Sequence, residues 1–274
     1  MSLHRDTYAE INLKYLKENI ETTYKKFKRP LMAVIKADAY GHGYREVATY
    51  IKDIEYLEMF AVATLPEAIE LRELGITKGI LILGAVPTSK EEIDLAIKYD
   101  ISLTMVSVDY LKLLENLIDE GQTLKVHIKL DTGMHRIGLM SKDELSTLLE
   151  LIDPNKFDVE GIFTHFATAD GDDEAFEKQR NLFYEMIGNC KFKYIHCCNS
   201  AAMTYHHDEK SNMGRLGITM YGCSPNGEEE TKFKQVMSLY TKVAMIKKIP
   251  AGDKVGYGLT YTAKEDEYIA TLPI

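Results

Sequence analysis

The chain has 274 residues, 45% hydrophobic and 27% charged, with a formal net charge of −9: an ordinary globular composition, enough for one large domain or one domain and part of another. The acidic balance, with no basic run to offset it, excludes a nucleic-acid partner, and no apolar stretch approaches the roughly 18 residues of a membrane span. The N-terminus lacks a signal-peptide core, and Cys190, Cys197, Cys198 and Cys223 have neither disulfide density nor metal-ligand spacing, so the sequence predicts a cytoplasmic protein with no metal and no membrane segment in this chain.

Residues 6–12 alternate Tyr8, Glu10 and Asn12 against Ala9 and Ile11, which predicts a short strand. Leu13, Leu16, Ile20, Tyr24 and Phe27 then recur at steps of three and four, one apolar stripe of a helix that Arg29-Pro30 stops. The unbroken apolar run 31–35 reads as a strand buried on both faces, ending in Lys36. From there one phrase repeats, an apolar strand followed by an amphipathic helix. Strands are predicted at 59–63, 80–83, 101–106, 124–130, 159–164, 194–197 and 213–216. Between them, Thr64 to Glu67, Ser89 to Glu92 and Ser141 to Glu144 read as capping boxes, and further helices are expected near 110–118 and 174–187. Eight alternations predict an α/β fold, a parallel (β/α)8 TIM-like barrel, over a doubly wound sheet.

After about Pro225 the rhythm changes. Residues 233–247 alternate β-branched and aromatic side chains, 250–253 form a turn, and 254–262 and 268–273 are further strand candidates. The expected organisation is a barrel over 11–232 and the start of a C-terminal all-β domain over 233–274, joined by a strand within 1–10. The chain is expected to stop at Ile274 inside a strand, with that second domain truncated.

Barrel enzymes gather functional side chains where strands exit toward their helices. Here those exits carry Lys36, then Lys129 with Asp131 to Gly138 behind it, His165, Asn199-Ser200 and Arg215 with Gly217-Ile218. Taken singly each is ambiguous. Lys36, desolvated at a strand end, suits a Schiff-base nucleophile or a general base, or else it snorkels outward or pairs with Asp38. His165 fits a hydrogen-bonded core position, Arg136 and Arg215 fit structural ion pairs, and Ser200 fits a helix cap. His196-Cys197-Cys198 reads as the end of a core strand, with cysteine as a small apolar residue. Tyr257, in a Gly-flanked strand, reads as a packing aromatic.

The run Ala33-Val34-Ile35-Lys36-Ala37-Asp38-Ala39-Tyr40-Gly41-His42-Gly43 resembles the cofactor-lysine signature of the alanine racemases, barrel enzymes dependent on pyridoxal 5'-phosphate (PLP). Lys129, Arg136, His165, Asn199, Ser200, Arg215 and Tyr257 follow in the family's order. The resemblance implies that Lys36 carries PLP covalently, with Tyr40, Asn199, Ser200, Gly217 and Ile218 at the cofactor. It implies that Arg215 faces the pyridine nitrogen, oriented by His165; a donor-only, permanently charged group there disfavours delocalised carbanion chemistry. It also implies racemisation of L- and D-alanine, supplying D-alanine for peptidoglycan. Two bases act, Lys36 and a Tyr257 contributed by the partner subunit of a homodimer, with Arg136 nearby. Lys129 resembles a position that many members carbamylate. The family continues past Ile274 with the rest of the β domain, including substrate-carboxylate contacts and another phosphate-binding tyrosine. Two alternatives remain open: the serine/alanine racemase domain of a vancomycin-resistance protein, and a non-catalytic PLP-binding barrel.

Overall fold

A computed structural model describes residues 6–86, 89–206, 208–227 and 232–274. It divides into two compact units, Leu13–Gln235 and a smaller one of Met1–Asn12 with Val236–Ile274. Strand β1 (Tyr8–Ile11) belongs to the smaller unit, and helix α1 (Leu13–Phe27) opens the larger. The predicted stripe is buried through Leu16, Ile20 and Phe27. Asn19 is buried with them because its amide is used fully: Nδ2 donates to the carbonyls of Met220 and Lys234, and Oδ1 accepts from the Lys234 N–H.

Strand β2 (Leu31–Val34) is wholly buried, as its apolar run predicts. Behind it lies the helical turn α2 (Lys36–Gly41), and this turn is left-handed: Ala37, Asp38, Ala39 and Tyr40 all have φ between 51° and 56°. Each such residue costs roughly 1–2 kcal/mol in an L-peptide, so neighbours must hold it. Glu67 Oε1 accepts the Ala37 N–H at 2.8 Å, and Asp38 Oδ1 accepts the Tyr44 N–H at 2.9 Å.

The alternation continues through α3 (Tyr44–Ile51), β3 (Leu57–Val62), α4 (Leu65–Glu73), β4 (Gly79–Ile82), α5 (Lys90–Lys98), β5 (Leu103–Met105) and α6 (Val108–Glu115). It is completed by β6 (Leu124–Lys129), α7 (Lys142–Leu151), β7 (Phe157–Phe163), α8 (Asp173–Ile187), β8 (Tyr194–Ile195), α9 (Ser200–Tyr205) and β9 (Gly214–Leu216). The capping boxes at Thr64/Glu67 and Ser89/Glu92 form in full, and Ser141 caps α7 by accepting the Glu144 N–H. Each is worth about 1 kcal/mol.

The strands make two parallel arcs, β4-β3-β2-β9 and β5-β6-β7-β8. A Leu81–Ser102 bridge joins them at one seam, and at the other the Arg215 N–H donates to the Cys198 carbonyl at 2.9 Å. The larger unit is therefore the expected (β/α)8 barrel. Strand β8 is shorter than the predicted 194–197 for a specific reason: the carbonyls of His196 and Cys197 accept from the Arg215 guanidinium, not from a neighbouring strand.

In the smaller unit, β10 (Met237–Tyr240) pairs antiparallel with β1, and β11 (Met245–Ile249) pairs with β14 (Glu267–Thr271). Residues 254–262 do not form one strand. They split into β12 (Lys254–Val255), a 3-10 turn at Tyr257–Leu259 and β13 (Tyr261–Thr262), because Gly256 and Gly258 take positive φ and fold the segment back on itself. The run 233–247 likewise yields two strands, and β14 ends at Thr271, so Ile274 lies outside a strand.

Candidate active site

A cavity of about 600 Å³ opens at the ends of the barrel strands. All ten barrel residues singled out in the sequence line it: Lys36, Tyr40, Lys129, Arg136, His165, Asn199, Ser200, Arg215, Gly217 and Ile218. Tyr257 belongs to the smaller unit, where its side chain is fully exposed on the 3-10 turn.

Lys36 leaves β2 half-buried and, among the described residues, makes no ion pair; Asp38, its alternative partner, is engaged at Tyr44. Ser200 does not cap its helix. Asn199 does, accepting the Ala202 N–H at 2.9 Å, and this frees the Ser200 hydroxyl to accept the Gly217 N–H at 3.0 Å. A Cβ at Gly217 would stand 3.3 Å from the Tyr40 hydroxyl and 3.8 Å from Ser200 Oγ. The glycine thus keeps open a small hollow bordered by two hydroxyls and the Val34 side chain.

Arg215 is buried at the cavity base, 3% exposed. Its Nη1 donates to the His196 carbonyl and to His196 Nδ1 at 3.1 Å; its Nη2 donates to the Thr164 carbonyl at 2.6 Å and approaches His165 Nδ1 at 3.4 Å. None of these bonds uses Nε. Burial pulls the guanidinium down to about 10. Burial, then the charges of Arg215, Arg136 and Lys129, hold His165 down to about 3, so it is a neutral ring at neutral pH.

Lys129, 2% exposed, donates to the carbonyls of Leu130 (2.6 Å) and Ile137 (3.3 Å). Burial and then Arg215 lower its amine to about 8. Asp131 Oδ1 accepts the N–H groups of Gly133 and His135, and Leu139 returns to β6 through the Lys129 carbonyl, so the intervening loop is fixed where Arg136 lines the cavity.

Residues 11–225 match the alanine racemase N-terminal domain, and residues 236–274 match the alanine racemase C-terminal domain. An alanine racemase of Streptococcus pyogenes serotype M12 is 42% identical over 281 aligned positions that span 100% of this chain and 76% of that protein. The chain belongs to the alanine racemase family.

Solved structures agree. The alanine racemase from E. faecalis superposes with a TM-score of 0.90 at 35% identity, over 100% of this chain and 76% of that one. The Bacillus anthracis alanine racemase with bound L-Ala-P gives 0.85 at 36% identity, over 99% and 73%. A histidine racemase from Leuconostoc mesenteroides gives 0.85 at 29% identity, over 100% and 75%.

The family depends on PLP, and the chemistry lining this racemase-family cavity fits that cofactor. A lysine amine suits its aldehyde, the hollow at Gly217 suits its phosphate, and a buried guanidinium suits a ring nitrogen that is to stay unprotonated. Sequence reasoning missed the groups behind Arg215. The local pattern shows His196 only as a structural strand end, and it gives no sign of a role for His127, two residues before Lys129 on the same face of β6. Nor did the sequence show that Cys197, Cys198 and Asp208 bring their ligand atoms within 4.8 Å of one another.

Proposed function

We propose that this chain is a PLP-dependent alanine racemase that interconverts L- and D-alanine and supplies D-alanine to peptidoglycan. Family membership across the whole chain supports the reaction. The observation that carries it is Arg215, a fully buried guanidinium in the cavity that Lys36 enters from β2. When bound through Lys36, PLP acidifies the Cα–H of the amino acid. Arg215 offers only hydrogen-bond donors and holds its protons far more tightly than a pyridinium does, so it would meet the ring nitrogen's lone pair without protonating it; this would withhold the electron sink that transamination and decarboxylation need. Tyr40, Ser200, Gly217 and Ile218 would hold the phosphate, with Asn199 setting the start of α9.

The Lys36 amine moves the proton on one face of Cα. On the other face we assign Tyr257 of a second copy in a homodimer, a reading supported by its full exposure on a turn held between two positive-φ glycines. A free phenol titrates near 10, so Tyr257 needs a cation beside it, the role we give Arg136. Lys129, with its lowered amine, suits carbamylation. The four free thiols fit a reducing cytoplasm. The test is polarimetry of L-alanine with PLP, beside a Lys36→Ala variant. Cofactor-dependent loss of rotation in the wild type alone is expected, and no racemisation by a PLP-loaded dimer would overturn the reading.

A further inference from the structure

Behind Arg215 runs a line of three side chains, two of them fully buried, to which the proposed mechanism gives no role. Arg215 Nη1 lies 3.1 Å from His196 Nδ1, His196 Nε2 lies 2.8 Å from His127 Nδ1, and His127 Nε2 faces Glu160 Oε2 at 3.8 Å. Both imidazoles are fully buried, at 0% exposure.

The polarity of the line follows from its first member. A guanidinium has only donors, so His196 Nδ1 must carry a lone pair. The His196 proton is then on Nε2, which makes His127 Nδ1 the acceptor and puts the His127 proton on Nε2, which has no hydrogen-bond partner among the described residues and has the Glu160 carboxylate 3.8 Å away. A second proton on either ring would break a bond. Burial disfavours that proton on both rings, and the neighbouring charges act in the same sense at His196, which faces Arg215 and His127. His127 faces Glu160, Asp158 and Lys193, and burial still prevails there. Glu160 stays ionised, down to about 2: burial opposes this, but His127 and the Ser102 hydroxyl at 2.8 Å outweigh it.

The rings are also clamped. His196 stacks on Phe163 with centroids 4.7 Å apart, and His127 stacks on Tyr194 at 5.8 Å. Gly161 is required beneath His127, because a Cβ there would lie 2.5 Å from its Nδ1.

We infer that His196 and His127 are positioning residues, a neutral imidazole pair of single tautomer, clamped by Phe163 and Tyr194, that fixes the guanidinium of Arg215 from behind. This rests on the racemase reading only for its catalytic consequence. The pair lets a buried cation meet its counter-charge at a distance without setting a carboxylate against the guanidinium. A carboxylate beside the cofactor would compete for Arg215.

The test is NMR of the full chain labelled with 15N-histidine. His196 and His127 are expected with Nε2 protonated and Nδ1 not, unchanged between about pH 6 and pH 9, with a 15N–15N coupling across the His196–His127 hydrogen bond. Either ring doubly protonated in that range, or the coupling absent, overturns the inference. In variants, His127→Leu is expected to lower kcat about tenfold with KM little changed, the size usual for groups that act through another residue. His127→Asn, whose Oδ1 replaces the accepting Nδ1, should restore most of it. An unaltered kcat in His127→Leu overturns the positioning role. Should that variant fail to fold, the wild-type spectrum and His127→Asn decide. Absence of racemisation with the coupling intact would count against the proposed function and not against the imidazole pair.

Discussion

The barrel and the smaller unit hold their polar side chains in opposite ways. In the barrel, Lys129, His127, His196 and Arg215 are buried, every one on a strand or at its end, and burial shifts all four from their ordinary titration. In the smaller unit the strands lie in two-stranded sheets, Tyr257 is fully exposed, and Ile249 and Ala263 are among its few buried apolar side chains. Chemistry that depends on a fixed charge therefore belongs to the barrel, whose side chains are already desolvated and oriented. A group that serves by reaching out belongs to the other unit.

The contrast can be broken by substitution. Lys36→Ala should lower racemisation by about 10³-fold or more, measured by polarimetry, with the urea midpoint little changed, since among the described residues the amine has no ion pair to lose. Arg215→Leu should fail on both counts. It strands the Thr164 and His196 carbonyls, so urea denaturation should show a loss of about 3 kcal/mol. A variant as stable as wild type would show that the barrel site is less tightly held than its bonds indicate. Tyr257→Phe is the mirror case: activity should fall about 10²-fold while stability stays within about 0.5 kcal/mol.

Gly217→Ala should weaken PLP binding about tenfold, ~1.4 kcal/mol, by equilibrium dialysis, because its methyl group enters the hollow beside Tyr40 and Ser200. The smallest effect is a slope. The Lys129 amine is lowered to about 8 from 10.5, so between those values the unfolded chain binds more protons than the folded one. Stability should rise with pH across that window, and the full penalty should apply below it. In Lys129→Met, measured in CO2-free buffer so that the amine stays uncarbamylated, the difference in stability from wild type should vary with pH there and be flat below; a constant difference would mean that the amine titrates normally.

Much of this was legible in the sequence. Apolar runs and serine or threonine caps placed the barrel elements, and the strand exits together with the family resemblance, which alone supplied Tyr40, named ten residues that line the cavity. What escaped depends on partners distant along the chain. Lys125, His127 and Lys129 alternate with Val126 and Ile128, so His127 shares a strand face with Lys129. Nothing local shows that its partner, His196, lies 69 residues on. The early end of β8 has the same origin, since its carbonyls turn to a guanidinium 19 and 18 residues later. In the smaller unit, Tyr257 sits in an alternating pattern that reads as strand, and only the φ values of Gly256 and Gly258 turn it into a loop.

The mirror-image coil that follows Lys36 acts as a filter on the residues allowed beside the lysine. From Ala37 to Tyr40 the backbone excludes β-branched side chains on steric grounds alone, before any cofactor is considered. Alanine, aspartate and tyrosine can be held in that handedness at a cost; valine or isoleucine would strain it further. Glu67, on a helix cap 30 residues away along the chain, keeps it wound through the Ala37 N–H. The turn that carries the amine into the cavity is thus held partly by a carboxylate outside the cavity lining.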